Sequence, residues 1–133
     1  MARPGLSGVS ALMARIADDD AACDALLAAF AEPVALRAPL RELVLAQQQL
    51  LQAEHEVGQV ADVLRRDQKY APVGRPSVHI VQLRKQQAAT RQAALVARQR
   101  LAQAAQTFVQ RSGLPLKARQ TPSEAVAAWL PAR

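Results

Sequence analysis

The chain has 133 residues, half of them hydrophobic and only 3% aromatic, and this length allows one domain with a modest core. Its single cysteine, Cys23, excludes an internal disulfide and fits a reducing, intracellular compartment. The formal charge of +6 is unevenly spread: residues 1–68 carry six Arg against ten acids, whereas residues 69–133 carry eleven Lys and Arg against Glu124 alone.

Ala dominates the hydrophobic half, and four aromatics (Phe30, Tyr70, Phe108, Trp129) are too few to fill the centre of a round globule. Ala-rich faces suit helices packed closely along their length, so an elongated all-α protein is expected. No apolar run approaches the roughly 20 residues of a membrane span.

Residues 1–38 read as a flexible lead followed by short acidic helices. Ser10 can cap a first helix carrying Leu12, Met13 and Ile16. Asp18, Asp19 and Asp20 then supply acids to the first turn of a second, which places Leu26, Leu27 and Phe30 on one side. This second helix is expected to end near Ala31, before Pro33.

Pro39 is suited to the first turn of a long helix over 39–69. Leu36, Leu40, Leu43, Gln47, Leu50, Glu54, Val57, Ala61 and Leu64 alternate spacings of four and three, a heptad seam of about four repeats. Two prolines and a glycine in 70–76 force a turn. Ser77 opens a second arm over 77–112, with Ile80, Leu83, Gln87, Thr90, Ala94, Ala97, Leu101, Ala104 and Phe108 in its seam. Gly113 stands where a left-handed cap belongs. Two matched seams joined by a short turn predict a long antiparallel two-helix coiled-coil hairpin. Val44, Val60, Val81, Leu95 and Val109 fall outside the narrow seam and need further helices, a second copy or a partner to cover them.

Residues 113–133 read as a basic tether (Lys117, Arg119) leading to a short helix. Thr121 and Glu124 form a capping box with Pro122 at the first helical position, and Val126, Trp129 and Leu130 follow on one face.

No catalytic constellation is present. His55 and His79 lie on opposite arms without the converging Cys, His or carboxylates that a metal or nucleophile site needs. Glu54 and Glu56, two apart, point to different helix faces. Phosphate-binding Gly-rich loops are absent, and neither a cofactor nor a small-molecule ligand is expected. Gly74-Arg75-Pro76 matches the core of a minor-groove-reading hook, but Val73 replaces its flanking Arg, and turn chemistry explains it better.

The informative charges are on the second arm. Arg84, Arg91 and Arg98 recur every seven residues and form one stripe, which Lys85 and Arg100 are expected to widen. Such a row can follow a carboxylate-rich protein surface or a phosphate backbone. A third reading is a solvated row flanking the seam, partly paired with Glu42, Asp62 or Asp67. Few aromatics accompany it, which argues against base readout. Trp129, with Val126 and Leu130, is read as a docking anchor for a partner, the alternative being that the tail folds back on the hairpin.

Within residues 70–116, Arg91-Gln92-Ala93-Ala94-Leu95 followed by Phe108 and Gly113 resembles the small helical inner proteins of ciliary doublet microtubules. There an Arg-bearing helix runs to an aromatic and ends at a Gly. The glutamates that the family places before the aromatic are Gln and Ala here. The resemblance implies a structural protein of the axonemal cytoskeleton that binds tubulin without catalysis. The expected function is therefore a non-enzymatic structural or adaptor protein docking on a larger assembly. The alternative is a nucleic-acid-associated accessory protein using the same stripe.

Overall fold

The computed structural model describes residues 6–70, 74 and 77–130, which form five helices and no strand. The lead before residue 6, most of the 70–76 turn and the last three residues lie outside the described residues. In chain order the helices are α1 (Leu6–Ile16), α2 (Asp20–Leu26), α3 (Pro33–Lys69), α4 (Val78–Ser112) and α5 (Pro122–Trp129).

The hairpin is α3 against α4. At 1.5 Å per residue the two run roughly 50–55 Å. Leu36 to Leu50 share a core with Ala97 to Val109, while Leu64 meets Ile80 and Leu83 near the turn, so the arms are antiparallel. Asp67 Oδ2 lies 2.7 Å from His79 Nε2 and ties the arms at that end.

The stop and start signals of α4 are as the sequence indicates. The Ser77 hydroxyl accepts from the Ile80 amide (3.2 Å), and Gly113 adopts the left-handed conformation at φ 72° while its amide reaches the Val109 carbonyl. Thr121 likewise accepts from the Glu124 amide, with Pro122 opening α5.

Three expectations are corrected. The first arm begins at Pro33, not Pro39, so Pro33 starts a helix and does not merely stop one. Pro39 sits inside α3, and an interior proline costs about 3 kcal/mol through its missing amide and ring clash. Here the residue is buried, which offsets part of that. The first helix begins at Leu6, so Ser10 is not its cap, and the Ser10 hydroxyl accepts instead from Gln48 Nε2 on α3 (3.1 Å). The second helix ends at Leu26, well short of Ala31, and the chain turns so that Phe30 faces the hairpin.

One core spans α1, α2, the start of α3, the end of α4 and α5. Val9, Leu12 and Ile16 of α1 and Cys23 and Leu27 cover Leu40, Leu43 and Val44. Three of the four aromatics meet here. Phe30 approaches Phe108 edge-on at 5.9 Å and Trp129 at 5.5 Å, and Phe108 and Trp129 stand 5.1 Å apart, within the range where aromatic pairs attract. Aromatics too few to fill a globule thus suffice for a local cluster.

Two arginines of α3 fasten the N-terminal helices. Arg37 grips Asp24 with both carboxylate oxygens engaged (2.8 and 2.6 Å). Arg41 donates to the Ile16 carbonyl at the end of α1 (2.7 Å) and to Asp20 (2.7 Å). These bidentate and helix-terminal bonds are directional, and they fix α1 and α2 on one side of α3. The Arg37 hydrogen bonds hold the Asp24 carboxyl below the usual carboxylate range. Burial pushes the Cys23 thiol up, which keeps it a protonated donor to the Ile16 carbonyl (3.5 Å).

Candidate functional site

Along α4 the residues seven apart follow one row, because seven residues complete almost two turns. Arg84, Arg91 and Arg98 occupy three successive places in that row, all exposed, and Ala105, the next, is completely buried. The neighbouring row reads Val81, Ala88, Leu95, Ala102, Val109. At the base Val109 is buried under the core, but toward the turn Leu95 is 49% and Val81 40% exposed. A single face of α4 therefore changes character along its length, from apolar and covered to arginine-flanked and open.

Arg91 and Arg98 border a shallow recess of about 350 Å³, together with Ala94 and Leu95 of α4 and Glu54 and Val57 of α3. Glu54, expected inside the seam, is exposed at this recess. Among the described residues no carboxylate closes an ion pair with any arginine of the row. Asp62 pairs with Arg65, and Asp67 contacts Arg66 and His79.

The other expected site residues fall elsewhere. Arg100 follows Arg98 by two residues, about 200° around the helix, and lines a separate groove with Glu42, Leu45 and Gln103 on the opposite side of the hairpin. It does not widen the row. Lys85 is exposed but turned about 100° from Arg84. Val126 and Leu130 are 2% and 6% exposed in the chain's own core, and Trp129 packs on Phe30 and Phe108. The docking anchor read from the sequence is thus corrected to a base-closing helix. Its tether is an ordered turn: the Lys117 amide donates to the Gln120 side chain (3.0 Å), the Gln120 amide donates back to the Lys117 carbonyl (3.0 Å), and Arg119 adopts a left-handed φ of 63°. This turn sends α5 back along α4.

Sequence reasoning found the row of arginines but missed the recess beside it. The available signal was Leu95, an apolar residue outside the seam yet flanked one turn away by Arg91 and Arg98. Among the described residues there is no group of His, Cys, Asp or Glu that could hold a metal, and no helix is long and apolar enough to cross a membrane. No family model, curated protein or solved structure matches the chain.

Proposed function

We propose that this chain is a non-catalytic structural or adaptor protein that docks on a larger protein assembly through the Arg84, Arg91 and Arg98 row of α4. The observation that carries the reading is a regular row of exposed guanidinium groups, on a helix with no acid of its own, that no carboxylate among the described residues engages. Guanidinium groups at fixed spacing suit bidentate capture of carboxylates on a rigid acidic surface. The tail has no part in this docking, since its apolar residues close the chain's own base.

The test compares the tagged wild-type chain with an Arg84→Ala/Arg91→Ala/Arg98→Ala variant. A protein partner should co-purify with the former and be lost from the latter, while both melt at the same temperature. The resemblance to ciliary inner proteins makes the microtubule the first assembly to try. Nucleic acid is separated from protein by salt: binding through these arginines to phosphates would fall with a slope of about −0.9 per phosphate neutralised. We expect no shift of DNA or RNA at low salt. A variant that keeps every partner at full affinity overturns the reading.

A further inference from the structure

Resting on that reading, we infer that the open face of the hairpin arm is a groove for one acidic amphipathic helix of a partner protein, seated on Val57, Ala94 and Leu95 between the arms and clasped by Arg84, Arg91 and Arg98.

The fold itself shows what such a face takes. Where the row reaches the base, Ala105 and Val109 are covered by packed helices, and the core there is dry. Fourteen and twenty-eight residues nearer the turn than Val109, Leu95 and Val81 lie in the same row and are half exposed. The recess beside Leu95 has an apolar floor and a charged rim, the usual pattern of a helix-in-groove site. A two-helix pair leaves such a face half-solvated, and a third helix completes it.

Charge decides the occupant. The arginines step about 10 Å per seven residues, so a helix lying along the groove meets them with Asp or Glu at the same interval. Glu54 on the facing arm adds a second requirement, a Lys, Arg or hydrogen-bond donor toward α3. A phosphate backbone satisfies the arginines but is repelled by Glu54, and it has no use for the Leu95 floor. A second copy is also a poor occupant. Its equivalent face presents arginine to arginine, and its acidic helix α2 is engaged at home, where Asp20 and Asp24 hold Arg37 and Arg41.

The experiment uses the full chain and a labelled 21-residue helical peptide with Leu at heptad seam positions, Glu every seventh residue on one flank and one Lys on the other. Fluorescence anisotropy should give saturable binding at micromolar concentration. Leu95→Asp should weaken it about thirtyfold, the loss of a groove anchor, while leaving the melting temperature unchanged because Leu95 is half exposed. Arg91→Glu/Arg98→Glu should abolish binding, and a peptide with Lys in place of Glu should restore it. A peptide of equal charge without the leucine stripe should bind at least about tenfold more weakly. If it binds equally, the groove inference falls and the broader reading of an acid-binding face stands. If neither peptide responds to the arginine variants, both fall. A dimer that Leu95→Asp dissolves would give the face to a second copy, and a duplex that displaces the peptide would give it to nucleic acid; either overturns the inference.

Discussion

The two ends of the hairpin are built from the same helices and differ in almost everything else. At the base, Leu40, Leu43, Val44, Ala105 and Phe108 are completely buried because α1, α2 and α5 lie over the α3–α4 pair. Toward the turn, Leu64, Ile80 and Leu83 make a second small cluster among the described residues, with Val63 against it. Between the two lie Glu54, Gln87 and Thr90, all at seam positions by spacing and none fully buried. A seam of two helices buries its interior only in patches; a third layer completes the burial. Stability is therefore concentrated at the base, and the arm is left as a surface on which another protein can supply the missing layer.

The largest effect should come from the centre of the base. Phe108→Ala removes a completely buried ring that also contacts Phe30 and Trp129, and about 3–5 kcal/mol of unfolding free energy should go with it. That is a large share of the stability of a small domain. Leu83→Ala, in the cluster near the turn, should cost about 2 kcal/mol, the low end for a buried leucine. Denaturant titration followed by helical signal measures both. Equal losses would break the distinction between base and arm.

Trp129→Ala sharpens it from the C-terminal side. An eight-residue helix does not persist alone in water, so α5 is held by what Val126, Trp129 and Leu130 bury. The isolated variant should lose about 2 kcal/mol, less than a fully buried tryptophan because this ring is partly exposed. Since Trp129 is the only tryptophan, its emission in the wild-type chain reports unfolding of the base alone. An unchanged melting curve in the variant would mean that the tail leaves the base in solution.

In the arm the expected change has the opposite sign. Gln87 holds a half-buried seam position that an apolar residue would fill better, and a polar group there costs stability. Gln87→Leu should stabilise the chain by about 1 kcal/mol and slow amide exchange over residues 84–96 toward the rate at the base. No gain would show that Gln87 already makes contacts as favourable as a buried leucine.

These differences explain what the sequence could and could not reveal. Gly113, Ser77 and the Thr121–Glu124 box act through groups three or four residues away, so their effect is visible locally, and the α4 and α5 boundaries were legible. Pro33 and Pro39 carry the same first-turn signal, and nothing within a few residues says which begins the helix. The choice is made by tertiary packing, which extends α3 back to Pro33 and leaves Pro39 buried inside it. The Phe30, Phe108 and Trp129 cluster joins residues about eighty and a hundred positions apart, beyond any periodicity. For the same reason Trp129 looked like an anchor for another molecule. Of the candidate face, the seven-residue recurrence of Arg84, Arg91 and Arg98 is legible, and so is the departure of Arg100 from that row, since two residues turn it about 200° from Arg98; only the groove it lines with Glu42 and Leu45 depends on the register of α3 on α4.

The smallest expected effect lies in the charged clamp of the base. Arg37 hydrogen bonds lower the Asp24 carboxyl, partial desolvation opposes them, and the charges of Arg37 and Arg41 add to the lowering. A carboxyl depressed in the folded state binds its proton more readily when unfolded. Its contribution is therefore fully present above the unfolded value, about pH 4, and is lost as pH falls through the lower folded value. Asp24→Asn should lower the melting temperature slightly and by a constant amount from pH 8 to pH 5. Below about pH 4 the difference from the wild-type chain should shrink, because protonated Asp24 then resembles the asparagine. The effect is small because both partners are partly solvated, with 26% of the Arg37 and 38% of the Asp24 side chain exposed. Asp62→Asn is the matching change in the arm. Its pair with Arg65 is exposed by 74% and 77% and bridges residues three apart on one helix, so it fastens nothing. That variant should melt as the wild-type chain does. An Asp62 variant that loses as much as the Asp24 variant would mean that the clamp holding α1 and α2 to α3 is an ordinary surface pair, and that packing alone distinguishes base from arm.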